Sequence, residues 1–222
     1  MATPIAIVGQ SGTGKSTSIE KLNPESTAII NVSGKKLPFK GASKLYNSEN
    51  RNYKTTKDPQ EIINTINKTS SDFSNIKILI IDDFQYIMAH EFMSRAKEKG
   101  FDKWVEIGQN IYNIMMAIAA SREDLNVYIL THDEIYEENY VQKRKIKTLG
   151  KLLDQNVTME GLFSVVLFTE IVKDEKDDKL FNYRFITQNN GKTTAKSPKS
   201  MFENYHIEND LSFVDQKIRE YD

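Results

Sequence analysis

Apolar residues recur along this chain in two rhythms. Pro4 to Val8, Thr27 to Val32, Lys77 to Ile81 and Asn126 to Thr131 are short runs with apolar residues on both faces, the pattern of strands buried inside a sheet. Between them the spacing lengthens to that of helices. Lys15 to Leu22 predicts a helix that stops at Asn23-Pro24. Asp58-Pro59-Gln60-Glu61 supplies an N-cap acid, a proline at the first helical position and a glutamate placed for a capping box, ahead of Ile62, Ile63 and Ile66 on one face. Phe84 to Lys97 predicts the next helix, with Phe84, Met88 and Phe92 at four-residue spacing and Gly100 as its close. Asp102 can cap a further helix whose Trp104, Ile107, Ile111, Ile114, Met115 and Ile118 follow the helical period.

Strands alternating with helices up to about residue 150 predict right-handed βαβ units and a mainly parallel sheet covered on both faces. After a polar, charged stretch and a short helix near Lys151 the pattern changes. Phe163 to Val172 and Leu180 to Thr187 read as strands joined by the charged turn Asp174 to Lys179, a hairpin within residues 163–187. A last helix spans about 209–221, capped at Asn209-Asp210 and faced by Leu211, Val214 and Ile218. Residues 33–57 show no periodicity and read as an insertion or ordered loop, in which Lys35-Lys36-Leu37-Pro38-Phe39 is distinctive without an evident physical reason.

Composition narrows the class. A chain of 222 residues suits one substantial core, so a single domain over 1–222 is expected, and 39% hydrophobic with 27% charged residues fits a soluble globule. The formal charge of −1 limits any nucleic-acid contact to a local patch. Without cysteine there are no disulfides, thiolate metal sites or cysteine nucleophile. The three histidines, His90, His132 and His206, are too scattered for a metal box. No signal segment opens the chain and no apolar run approaches the ~20 residues that cross a bilayer, so a cytoplasmic location without membrane contact is expected.

The chemistry begins where the first strand ends. Gly9-Gln10-Ser11-Gly12-Thr13-Gly14-Lys15-Ser16 matches G-x-x-x-x-G-K-[ST] at every fixed position and lies between an apolar strand and a helical segment, as that motif requires. Glycines let successive N–H groups point inward at phosphate oxygens. Lys15 reaches the β- and γ-phosphates, and the Ser16 hydroxyl is a magnesium ligand. Ile78-Leu79-Ile80-Ile81 then delivers Asp82 and Asp83 at a strand end, the edge of a parallel sheet where ligands bind. Asp82 is placed to hold magnesium, and Asp83 either polarises the attacking water or caps the following helix. The strand 126–131 brings Thr131 and His132 to the same edge, as a γ-phosphate sensor or as a surface turn.

These three segments, Gly9 to Thr17, Ile78 to Asp83 and the strand ending Thr131-His132, resemble the RecA-like P-loop ATPases, most closely the small phage-encoded ATPases linked with DNA recombination and single-strand annealing. Asp82-Asp83-Phe84-Gln85-Tyr86, Trp104 and Gly150-Lys151-Leu152-Leu153 strengthen the likeness. The resemblance implies a RecA-like three-layer sandwich with a C-terminal β-hairpin extension, ATP and Mg2+ as cofactors, and a binding set from Gly9 to Thr17. It also implies an oligomer, a ring or filament, with nucleotide at the subunit interface, single-stranded DNA as partner and a single-strand-binding or annealing protein as a further one. One feature departs from the family. RecA-type enzymes carry a catalytic glutamate at the end of the strand after the phosphate loop, whereas here it ends Asn31-Val32-Ser33, which leaves Asp83 as the base or makes hydrolysis slow.

Lys143, Arg144, Lys145, Lys147 and Lys151 follow the sensor strand with no acid among them, either a DNA-binding patch with Tyr140 as a stacking platform or a solvated loop. Lys192, Lys196 and Lys199 lie beyond the hairpin. Lys196 and Arg144 are both candidates for a cation that reaches a neighbour's γ-phosphate. A P-loop kinase is the main alternative, but it needs an arginine-bearing lid, and the helices after Asp83 hold only Arg95 and Arg122. A GTPase lacks its Asn-Lys-x-Asp element. An AAA+ motor would require a C-terminal helical lid where a hairpin is expected, and a nucleotide-gated scaffold with little hydrolysis stays open.

Overall fold

The computed structural model of the chain describes residues 2–148, 158–174 and 180–221. Among these the elements run β1 (Thr3–Val8), a single 3-10 turn (Ser16–Ile19), β2 (Thr27–Asn31), α1 (Ala42–Leu45), β3 (Tyr53–Thr55), α2 (Pro59–Asp72), β4 (Ile78–Asp82), α3 (Gln85–Ser94), α4 (Asp102–Ala119) and β5 (Asn126–Thr131). They continue with β6 (Asp133–Glu138), β7 (Val141–Ile146), a second 3-10 turn (Met159–Leu162), β8 (Val165–Lys173), β9 (Phe181–Ile186), β10 (His206–Glu208) and α5 (Leu211–Tyr221).

Strand alternation builds two cores on one sheet. In β1, Ala6 and Val8 face one cluster while Ile5 and Ile7 face the other. β4 divides the same way, Leu79 and Ile81 against Ile78 and Ile80, and so does β5, Val127 and Ile129 against Tyr128 and Leu130. Strands apolar on both faces must be covered on both. Helices α2, α3 and α4 cover the first side through Ile62, Ile87, Ile111 and Ile118, and α5, the first 3-10 turn and the residue that follows α1 cover the second through Val214, Ile19 and Tyr46. This is the expected three-layer α/β arrangement. None of the described helices is long and apolar enough to cross a membrane.

The sheet order is β10-β9-β8-β1-β5-β4-β2-β3. The pairs from β3 to β8 are all parallel, and β8–β9 and β9–β10 are antiparallel. Strand β5 therefore sits between the strand that ends at the phosphate loop and the strand that ends in Asp82. Register aligns Val8 with Thr131 and Asn31 with Asp82, so four strand ends converge on one edge.

Three sequence expectations change. The helix expected over Lys15 to Leu22 is only the 3-10 turn Ser16–Ile19. The Ser18 hydroxyl donates to the Lys15 carbonyl at 2.5 Å, a side-chain bond that competes with helical pairing, and Asn23-Pro24 follows too soon for a second turn to form. Residues 33–57, aperiodic in sequence, hold α1 and the edge strand β3, which pairs parallel with β2. The polar stretch after β5 is the two-stranded β6–β7 hairpin. The helix expected near Lys151, and most of the charged turn between β8 and β9, lie outside the described residues.

Candidate functional site

The loop after β1 is packed so tightly that its glycines are required. The Gly9 amide donates to the Thr131 carbonyl at 3.1 Å, and a Cβ on Gly9 would fall 1.7 Å from the Thr169 hydroxyl oxygen of β8. Thr169, buried at 1% exposure, donates to the Thr13 hydroxyl at 2.6 Å, and Thr13 donates to the Gln10 carbonyl at 2.7 Å. Gly14, at φ 91°, lies against Asn209 and Tyr183, leaving both conformation and space to glycine. Inside this loop Lys15 donates its ammonium to the carbonyls of Gly9 (2.7 Å) and Gln10 (2.8 Å). Burial lowers the Lys15 pKa to about 8, a loss partly offset by Asp83 and Asp82.

Across from the lysine, the Ser16 hydroxyl donates to Asp82 Oδ1 at 3.0 Å, joining phosphate loop and acidic strand end. Asp82 is 4% exposed. Burial first and the neighbouring Asp83 second raise its pKa to about 6, against the Ser16 bond and the Lys15 charge. A carboxylate disfavoured in this way gains from a divalent cation. Among the described residues no cluster of three or more His, Cys, Asp or Glu side chains forms. Protein ligands would thus be few, all of them oxygens, with phosphate and water completing the shell, which is how Mg2+ is usually held. Ser16 and Asp82 fit that ion.

Asp83 is not a helix cap. The residue before α3 is Phe84, with no capping side-chain bond, and Asp83 itself takes a left-handed φ of 62°. Its carboxylate lies 4.0 Å from the Lys35 ammonium. His132, at the end of β5, lines the same cavity of about 580 Å³ as Ser16, Asp82 and Asp83. Its backbone N–H donates to Gln85 Oε1 at 3.3 Å and its ring meets the Tyr86 ring edge-on at 6.0 Å. Burial, with the Lys15 charge second, lowers its pKa, so the imidazole is neutral at pH 7. Thr131 is instead buried in the strand at 1% exposure. Of the two sensor candidates, His132 is the one beside the loop.

The basic stretch is arranged differently from its reading in sequence. Along β6–β7 the cations face acids across the hairpin: Lys143 pairs with Glu138, Arg144 with Asp133 at 2.6 Å, and Lys145 with Glu134 at 2.9 Å. The expected concentrated positive field is neutralised there, because the sequence between Val141 and Leu153 holds no acid while the strand before it supplies them. Arg144 is also unsuited to act as a finger on a neighbour. Its guanidinium is held by the fully buried carboxylate of Asp133, donates twice to the Thr169 carbonyl at 3.2 Å and stacks 5.2 Å over Phe168. Lys147 donates its amide to the His132 carbonyl at 2.9 Å, close to the site. Lys196 is half-buried and pairs through its backbone with Val166 of β8. Lys151 lies outside the described residues.

Lys35, Thr169, Tyr183 and Asn209 surround the site without a site role in the sequence reading, as does Asn31, noted in sequence only as part of a strand end without an acid. Thr169 and the place of Asn209 beside the loop become visible only once the register of β8 and the course of the chain after β10 are known. For Lys35 the signal was the lysine pair at 35–36.

A family model described as an AAA domain matches residues 1–199, and the chain belongs to that family. No curated protein matches it. Membership places the chain among P-loop ATPases and implies nucleotide binding, with magnesium as the usual companion. The C-terminal helical lid that an AAA+ motor would require is not seen among the described residues, where β8, β9, β10 and α5 follow instead.

Asp82 carries a testable stability consequence. Its folded pKa of about 6 lies above the ordinary 3.8, so the folded state disfavours the ionised form and stability falls as pH rises through that window. Asp82→Asn keeps an acceptor for Ser16 and removes the charge. Without magnesium, denaturant unfolding should show it more stable than wild type by about 1–3 kcal/mol at pH 7.5, with little difference near pH 4. Equal stability at pH 7.5 would show that the buried charge is not strained.

Proposed function

We propose that this AAA-domain protein binds ATP with magnesium and hydrolyses it to ADP and phosphate. The observation that carries the reading is the Ser16–Asp82 hydrogen bond of 3.0 Å, closed between residues 66 apart in sequence, beside a lysine held inside the loop. In this reading the amides of Gly9 to Thr17 cradle the phosphates and Lys15 neutralises the β- and γ-oxygens. Ser16 and Asp82 hold magnesium, which when bound draws charge off the phosphate oxygens. Asp83 orients water and accepts its proton, and neutral His132 hydrogen-bonds at the γ-phosphate end. Among the described residues no arginine lines the cavity, which counts against a kinase lid. Asn31, aligned with Asp82 where an acid would serve as base, favours modest turnover.

A second, narrower reading is that turnover serves phage DNA recombination, repair or replication, with the protein acting as a homo-oligomer on single-stranded DNA alongside a single-strand-binding or annealing protein. The observation that favours it is Tyr140, 98% exposed at the tip of the β6–β7 hairpin, where Asn139 and Tyr140 both take positive φ. Such a tip offers a ring for base stacking. Because the hairpin's cations are paired with acids, stacking would dominate over phosphate attraction and the salt dependence would be shallow.

Two measurements test these readings. The free-protein profile of kcat/KM against pH should rise through about 6, as Asp82 ionises, and fall above about 8, as Lys15 loses its proton. Lys15→Ala should lower it by at least ~100-fold, and a flat profile with an active Lys15→Ala variant would remove the mechanism. For the DNA-linked reading, single-stranded DNA should stimulate turnover, and Tyr140→Ala should weaken DNA affinity about 10-fold, the worth of one stacked base. Turnover indifferent to DNA would leave the ATPase without that role.

A further inference from the structure

The loop after β2 brings a second cation to the phosphate end of the cavity. Asn31 is buried, and its side chain is engaged locally: Nδ2 donates to the Lys35 carbonyl (2.6 Å) and the Tyr53 hydroxyl (2.7 Å), while Oδ1 accepts from the Gly34 amide (2.7 Å). Gly34 takes φ 71°, so the chain reverses there and Lys35 is turned back over the end of β2. Its ammonium lies 4.0 Å from Asp83 Oδ2 and 5.3 Å from the centre of the Tyr86 ring, in the wall of the cavity shared with Lys15 and Ser16. The position is built. Two of these hydrogen bonds fix the loop backbone, the third ties Asn31 to Tyr53, and a carboxylate and an aromatic face receive the ammonium.

Of the other lysines that line the cavity, Lys15 is bonded within the loop and Lys21 donates to Asp210 at 2.9 Å, while Lys36 follows Lys35 in the same wall. Lys35 and Lys15 line the same cavity, two cations facing one space.

We propose that Lys35 is a catalytic residue acting in cis: its ammonium contacts the γ-phosphate oxygens of bound ATP and stabilises the charge that develops on them during transfer to water. Its pairing with Asp83 also holds that carboxylate at the attacking side. The water oxygen forms its bond to the γ-phosphorus as the bond to the β–γ bridging oxygen breaks, and that bond's electron pair stays on ADP. The water's proton passes to Asp83 and from there to solvent. A lysine is a compact point charge on a flexible stem, able to follow the moving phosphoryl oxygens from Asp83 outward. Because the same chain supplies it, this contact does not depend on a neighbouring copy. At the end of β2 the protein thus presents a cation, with Asn31 as the clamp that aims it.

The inference rests on the ATPase reading, and one experiment separates the two. Turnover, and equilibrium binding of ADP with magnesium in the presence and absence of aluminium fluoride, are measured for the wild-type chain, Lys35→Ala and Lys35→Arg. Lys35→Ala should lower kcat about 100-fold, keep ADP affinity within about 3-fold, and lose the extra affinity that fluoride confers on wild type; Lys35→Arg should recover at least ~10-fold of the loss. A Lys35→Ala variant that turns over within about 3-fold of wild type and keeps its fluoride effect overturns the assignment. So does one whose ADP affinity falls as far as its kcat, since that is the mark of a structural role. Wild type that binds no nucleotide would bring down the ATPase reading itself.

Discussion

The rest of the site depends on a charge placed where it is least comfortable. Asp82 ends a fully buried strand, has the Asp83 carboxylate next to it, and is steadied by the Ser16 hydroxyl, the Lys15 ammonium and the Asp83 backbone amide without full compensation. Lys15 has the converse difficulty, a cation pushed toward neutrality by burial and restored in part by the same two carboxylates. Lys15 and Asp82 each hold their charge in part because the other is close. That arrangement has little worth as a structural ion pair, since burying unmatched charges destabilises a fold. It makes sense as a site prepared for a ligand that carries both signs, a phosphate chain with its metal.

The fold holds this arrangement with short, specific contacts. Placing β5 between β1 and β4 sets His132 beside the loop, and the parallel register brings Asn31 level with Asp82. From the other side, β8 presses Thr169 against Gly9 and Thr13. The same Thr169 accepts from Arg144 of the β6–β7 hairpin, which is anchored on buried Asp133. A continuous set of hydrogen bonds therefore runs from the hairpin to the phosphate loop. In sequence Arg144 was a candidate for a cation that reaches a neighbour; in the fold it fastens that hairpin.

What could be read beforehand followed the strength of local signals. The buried strands were plain because residues such as Ile78 to Ile81 are apolar on both faces, and Gly9 to Ser16 was plain because the phosphate loop tolerates so few residues. The capping box at Asp58 and Glu61 marked α2, and the Asp58 side chain does accept from the Glu61 amide at 2.7 Å. Elements held by long-range pairing were hidden. β6 and β7 have little apolar alternation and are joined by cross-strand ion pairs, and β3 is a three-residue edge strand placed by β2. The helix after the phosphate loop failed for a local reason, the bonding of Ser18 to its own backbone. Lys35 was visible as a residue, but its direction came from the Asn31 clamp and the left-handed turn at Gly34, which no periodicity reveals.

The central claim is that Ser16 and Asp82 form a metal-assisted phosphate site, and direct titration of the chain with a non-hydrolysable ATP analogue tests it most simply. With magnesium the account expects saturable binding of one nucleotide per chain, weakened at least ~10-fold when the metal is chelated or when Asp82 is replaced by alanine. Absence of binding, or binding that ignores both the metal and Asp82, would contradict it.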